Sequence, residues 1–186
     1  YSRILSHDWA KKYWSARIEQ NSSFVSATGS YECIGFNVPK APSYNYKSII
    51  IWMARYIHRL LASFSIQVLG DAFPNRHLRT NAFLINVNAY KEYIAKYGLP
   101  QSKNDCHKIE SGKYSLSRFA IDHDLNPGVI DRNGKFYKID HMHKAMVYRR
   151  ADQTQLLISD NRTEDFARSS GERKSMLSWD AWREYQ

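Results

Sequence analysis

The sequence predicts an α+β fold. Three observations predict it. Short strand-like runs, separated by small and turn-forming residues, fill the stretch from Arg17 to Lys40. A helical repeat of apolar residues follows between Ser48 and Phe64. An Asn133-Gly134 pair sits between two further strand-like runs, the strongest short signal for a β-hairpin. At 186 residues the chain is long enough for one domain with a real core, or for two small lobes. An apolar content of 43% excludes a disordered chain. No apolar run approaches the ~20 residues that span a bilayer. Cys33 and Cys106 are too few for a disulfide framework and lack metal-ligand spacing, which points to a reduced compartment. The chain begins at Tyr1 rather than Met, so the natural N-terminus, with any targeting signal, is expected upstream. A net charge of +9 favours acidic partners: nucleotide phosphates, nucleic acid or an anionic surface. The basic residues are dispersed, so charge alone does not choose among them.

Taken in order, Arg17 to Gln20 and Phe24 to Ala27 read as strands flanking Asn21-Ser22-Ser23. Thr28-Gly29-Ser30 reads as the next turn, and Glu32 to Lys40 as a third strand. From Ser48, a candidate N-cap, apolar residues recur at Ile49, Trp52, Met53, Tyr56, Ile57, Leu60 and Leu61, which is helical spacing. "SIQVLGDA" and "AFLINVN" read as two more strands. "AYKEYIAKYG" reads as a polar helix stopped by Gly98-Leu99-Pro100. "SLSRFAI" leads into a loop, the hairpin follows, and Trp179, Trp182 and Tyr185 are expected to close the core with one short helix.

The hairpin carries the chemistry. In a type I′ turn both Asn133 and Gly134 take positive φ, which sets Ile130 opposite Tyr137 and Val129 opposite Lys138. Pro127 then arrives opposite Asp140, and Asp124 and Asp140 fall at the same end. Two carboxylates so placed repel each other unless a positive group lies between them, and a divalent metal is the economical answer. The alternative is a surface hairpin whose acids are simply solvated.

"HDLNPG" followed by "VIDRNGKFYKIDHM" resembles a protein-kinase succession: the His-Arg-Asp-Leu-Lys-Pro-x-Asn loop, a short hairpin, then Asp-Phe-Gly. The resemblance covers about residues 17 to 145. It implies a two-lobed fold, with a small β-rich N-lobe over 1–88 and a reduced helical C-lobe over 89–186. The hinge would lie near Val87 to Tyr90. It implies ATP with Mg²⁺ or Mn²⁺ as cofactors. Asp124 would accept the proton of the attacking hydroxyl and Asp140 would hold the metal against the phosphates. Asn21, Ser22 and Ser23 stand in the place of the glycine-rich phosphate loop. Lys40, in "NVPK", stands where the family has its Val-Ala-Ile-Lys lysine, with Lys47 as the second choice. The sequence also departs from the family. The helix from Ser48 to Phe64 has no glutamate to pair such a lysine. Val129 stands where the family has its metal-binding Asn, leaving Asn126 as the nearest amide. His141-Met142 replaces Phe-Gly, and only 46 residues follow Asp140. A minimal, atypical kinase is therefore implied, most like the small effector kinases that pathogenic bacteria inject through type III secretion. That narrower likeness implies delivery into the host cytoplasm and a monomer acting on a host protein. The ninety-kilodalton heat-shock chaperone is one such substrate. It implies Ser/Thr chemistry, no specific nucleic acid and no membrane span.

Two other classes stay open. A metal-dependent hydrolase would use His141 and His143, which face the same side if they lie on a strand. "NRHLRTNAFLINV" with "DHMH" faintly resembles zinc D-Ala-D-Ala peptidases, but Leu84 and Thr80 stand where that family needs Asp and Gly. A basic non-catalytic module, either a pseudokinase or an RNA-binding domain, would use the +9 charge and thirteen tyrosines. "DHDLN" also resembles a calcium loop, but Pro127 occupies the position that needs Gly.

Overall fold

The computed structural model describes residues 2–33, 49–50, 53–54, 56–57 and 73–183. Lys40, Lys47, Tyr185 and the strand expected at residues 65–72 lie outside the described residues. Of the helix expected from Ser48, the described residues Ile49, Ile50, Met53, Ala54, Tyr56 and Ile57 are helical.

The architecture is α+β, as expected. Strand β1 (Ser2–Ile4) is followed by helix α1 (Trp9–Glu19), β2 (Phe24–Ser26) and β3 (Gly29–Ser30). The strand expected from Arg17 to Gln20 is instead the last turn of α1 and its cap. Its amphipathic signal is weak: Tyr13 and Ala16 are buried, while Trp14 and Ile18 face outward. Lys12 anchors the helix, pairing with Asp8 at 2.7 Å and donating to the Arg132 carbonyl at the hairpin tip.

Strands β4 (His77–Leu78) and β5 (Phe83–Ile85) precede helix α2 (Val87–Tyr97). The side chain of Asn86 caps α2 by accepting from the Asn88 and Ala89 N–H groups, and left-handed Gly98 ends it. The expected hinge, Val87 to Tyr90, is the first turn of this helix. Helices α3 (Lys103–Ser111) and α4 (Leu116–Asp122) follow, each capped by a serine: Ser102 and Ser115.

Strands β6 (Gly128–Ile130) and β7 (Phe136–Lys138) form the expected hairpin, but its register differs. Ile130 faces Phe136 and Val129 faces Tyr137. Gly134 N–H donates to the Asp131 carbonyl, and Gly134 alone is left-handed, at φ 84°. That is a type I turn closed by a glycine bulge, not a type I′ turn. The Asp131 carboxylate selects it by accepting from the Asn133 and Lys135 N–H groups. The ladder therefore slips by one residue, and Ile139 rather than Asp140 meets Pro127, donating to its carbonyl at 3.0 Å.

A 3-10 helix (Ile139–Ala145) leaves the hairpin, and β8 (Ile158–Asp160), α5 (Asn161–Arg168) and α6 (Gly171–Trp182) complete the described chain. Two helices, not one, therefore close the C-terminal end. Trp182 is fully buried, donates to the Tyr148 carbonyl at 2.6 Å and packs edge-on to Tyr31. Trp179 is only partly buried.

One four-stranded sheet, in the order β5-β2-β6-β7, places the two sites of interest. Its centre pairs β2 with β6 in parallel, Val25 opposite Gly128 and Ser26 opposite Val129. The other two pairings are antiparallel. The sheet thus joins strands from residues 1–88 to strands from 89–186. The main buried cluster does the same, from Phe24, Tyr31 and Leu78 to Leu116, Val129 and Trp182.

Candidate functional site

The expected catalytic loop runs from α4 to β6. His123 ends α4, with Nδ1 at 2.9 Å from the Phe119 carbonyl and its ring stacked on that of Phe119. Asp124 and Asn126 both take left-handed backbone conformations, at φ 53° and 48°. Two such residues in one loop are sparsely populated and persist only where surrounding contacts impose them. Those contacts come from the α1–β2 turn. Ser22 Oγ donates to the Asn126 carbonyl at 2.7 Å, Ser23 N–H donates to the Leu125 carbonyl, and Asn126 Nδ2 donates to the Gln20 carbonyl. The Asp124 carboxylate itself is exposed and makes no hydrogen bond or ion pair among the described residues.

The same contacts define Asn21, Ser22 and Ser23. The N–H groups of all three donate to carbonyls, those of Ile18, Arg17 and Leu125 respectively. Ser22 is fully buried. The turn therefore offers no free N–H to a phosphate; it clamps the Asp124 loop instead. Asn126 uses its amide nitrogen in the same clamp, and the amide oxygen is the atom through which it would bind a metal.

Asp140 stands in the first turn of the 3-10 helix, exposed, with Arg76 Nε at 3.4 Å. The Ile139–Pro127 hydrogen bond fixes it at the same end of the hairpin as the Asp124 loop. Beside it opens a cleft of about 150 Å³, bounded by Asp140, Ile139, Arg76, Lys113, Arg118 and Ser115 among others. Three cations thus border a small concavity, two of them in exposed ion pairs: Arg76 with Asp140, and Arg118 with Asp122 at 3.1 Å. The sequence reading missed Arg76, Lys113 and Arg118, because three dispersed basic residues meet only through the fold.

His141 and His143 lie in the 3-10 helix rather than on a strand, which removes the geometry that would pair them as ligands. Their rings are 6.4 Å apart, and the Tyr31 hydroxyl meets His143 Nδ1 at 2.9 Å. Burial, then Arg150, Lys144 and His141, hold His143 below the ordinary imidazole value. Among the described residues no group of three His, Cys, Asp or Glu side chains could enclose a metal.

A second polar cluster is buried. Arg79 Nη1 lies 2.7 Å from Asp160 Oδ2 and its Nε 3.8 Å from Glu110. Its guanidinium covers one face of the Tyr148 ring at 4.5 Å, and Arg149 also packs on that ring, at 5.2 Å. Asp160 caps α5 through the Arg162 and Thr163 N–H groups. Burial works to raise the Asp160 and Glu110 carboxyls, but Arg79 and their hydrogen bonds hold both below the usual carboxylate range. Burial pushes His77, which faces the same cluster, below its ordinary value against the pull of Glu110. The space among these groups is about 10 Å³, roughly one water. This cluster is a hub joining β4, α3 and β8, not a substrate site.

Comparisons with protein-family models, with curated proteins and with solved structures gave no match.

Proposed function

We propose that the chain is a nucleotide-dependent phosphotransferase of the protein-kinase type, acting on a Ser or Thr hydroxyl of a protein. The observation that carries this reading is the basic cleft beside Asp140. Arg76, Lys113 and Arg118 supply positive charge where a triphosphate would sit, and phosphoryl transfer is catalysed chiefly by positioning and charge stabilisation. The Arg76–Asp140 pair is exposed and so holds weakly. Its members would exchange partners readily, Arg76 toward phosphate and Asp140 toward Mg²⁺. Magnesium commonly binds one or two carboxylates and takes its other ligands from phosphate and water. One exposed carboxylate, with no closed ligand cage among the described residues, fits an ion that arrives with the nucleotide. The ion would supply neutralisation of phosphate charge. Asp124, unpaired among the described residues and at the same end of the hairpin, would accept the proton of the attacking hydroxyl. The Lys40 role, delivery into a host cell and a chaperone substrate belong to the same reading.

The test is calorimetry with Mg²⁺-ATP, together with transfer of labelled γ-phosphate into a eukaryotic lysate and into the purified ninety-kilodalton chaperone. Binding with transfer supports the reading. Absence of Mg²⁺-ATP binding up to millimolar concentration sinks it.

One observation favours a second reading, a pseudokinase. The Asn21–Ser23 N–H groups are all committed to carbonyls, so the turn in the place of the phosphate loop has none to offer a phosphate. That reading predicts nucleotide binding without transfer, or no binding at all.

A further inference from the structure

A second cavity lies next to the basic cleft, between α2, α3 and the segment that enters α4. Its volume is about 500 Å³, within the range of small-molecule pockets. Its walls are mainly apolar and aromatic: Tyr93, Tyr97, Leu99, Pro100, Ile109 and Tyr114. Tyr97 and Tyr114 stack nearly parallel, with ring centres 5.5 Å apart, and both are more than a third exposed. The Tyr93 hydroxyl donates to the Tyr114 carbonyl at 2.8 Å and holds this wall in place. Pockets with aromatic walls take planar rings, because every such ring offers a π-face for stacking.

Charge decides what kind of ring. Lys113 lines both the aromatic cavity and the basic cleft. Its ammonium lies 5.4 Å from the centre of the Tyr114 ring, and it makes no ion pair among the described residues. Lys108 also lines the cavity, but Asp105 pairs it at 3.1 Å. A cation unpaired among the described residues, at the junction of an aromatic cavity and a cleft whose two arginines are held at the surface by Asp140 and Asp122, suits a ligand that is aromatic at one end and polyanionic at the other. The geometry points to a nucleotide whose purine occupies the Tyr97–Tyr114 cavity and whose phosphates pass Lys113 toward Arg76, Arg118 and Asp140. This inference rests on the phosphotransferase reading for the identity of the ligand. It moves the base away from the α2 N-terminus, where the hinge was expected.

Calorimetry with adenosine, with ATP and with inorganic tripolyphosphate tests it on the whole chain. Tyr114→Ala should weaken adenosine and ATP by about tenfold or more, the usual scale of lost base stacking. Tyr114→Phe keeps the ring and should bind like the parent. Leu99→Glu, at a position 59% exposed, places a like charge in the cavity and should weaken ATP without unfolding the chain. Lys113→Ala should weaken ATP and tripolyphosphate but not adenosine. ATP affinity unchanged in both Tyr114→Ala and Leu99→Glu overturns the inference and leaves the phosphotransferase reading intact. Tyr114-dependent adenosine binding without phosphoryl transfer supports the cavity and contradicts the phosphotransferase reading. Failure of the parent chain to bind either adenosine or ATP overturns both.

Discussion

Arg79 is the residue whose loss should be felt most. It is 6% exposed, and it faces Asp160, itself 4% exposed, and Glu110. Removing one partner of a buried ion pair leaves an uncompensated charge, which costs about 3–5 kcal/mol. Arg79→Met should therefore lower stability by that amount in urea unfolding, and adding Asp160→Asn should recover part of it. A loss below about 1 kcal/mol for Arg79→Met would contradict the hub. The same residues set a pH dependence. His77, Glu110 and Asp160 all titrate lower folded than their ordinary values of 6.5, 4.5 and 3.8. The unfolded chain therefore binds more protons as pH falls, and stability is present above those values and lost on acidification. The urea midpoint should decline first below about pH 6.5, through His77, and more steeply below about pH 4.5. A midpoint flat from pH 8 to pH 5 would contradict the buried, neutral His77. Arg79, Glu110 and Asp160 were not singled out in the sequence, because their ion pairs join distant positions that no local pattern links; His77 was met only inside the peptidase-like stretch, as a metal-ligand resemblance and not as a member of this cluster.

At the scale of elements, the hairpin was legible in place but not in register. Asn133-Gly134 signals a turn under either geometry. The deciding residue is Asp131, a favoured first residue of type I turns, whose carboxylate collects the Asn133 and Lys135 N–H groups. Two glycines now carry different loads. Gly134 is left-handed, so Gly134→Ala should cost about 1–2 kcal/mol. Gly128 is pressed by the Phe136 ring and the Tyr137 carbonyl, which an added Cβ would strike. Gly128→Ala must therefore push β6 from β7 and disturb the Pro127–Ile139 closure that sets Asp140. We expect it to lower stability more than Gly134→Ala, by thermal unfolding, and to weaken ATP binding as well. The reverse order would show that the hairpin base is softer than these contacts imply. Helix α2 was legible at its C-terminal end, where Gly98 stops it, but not at its start: Asn86, its N-cap, and Val87-Asn88 were read as the end of the preceding strand, which closes at Ile85. Helix α1 was not legible, since its outward Trp14 and Ile18 blur the apolar stripe that reveals a helix.

At the scale of the whole molecule, the α+β class followed from alternating helix and strand signals. How the pieces share one sheet did not. The parallel pairing of β2 with β6 joins segments a hundred residues apart, and such long-range pairing leaves no local trace. It is also what brings the α1–β2 turn against the Asp124 loop. The site divides the same way. Asp124 and Asp140 were visible as acids flanking a turn. The cations that make the cleft suited to phosphate, Arg76, Lys113 and Arg118, emerge only when α4 and the segments before β4 and α4 meet. The account's central claim is that the two aspartates at one hairpin base perform different parts of one phosphoryl transfer. The most direct measurement is transfer of labelled γ-phosphate alongside Mg²⁺-ATP affinity, for the parent chain, Asp124→Asn and Asp140→Asn. The account predicts that Asp124→Asn binds Mg²⁺-ATP normally but loses transfer, while Asp140→Asn loses both, each by about a hundredfold or more in rate. Full transfer by both variants would contradict it and leave the two acids as solvated ends of a hairpin.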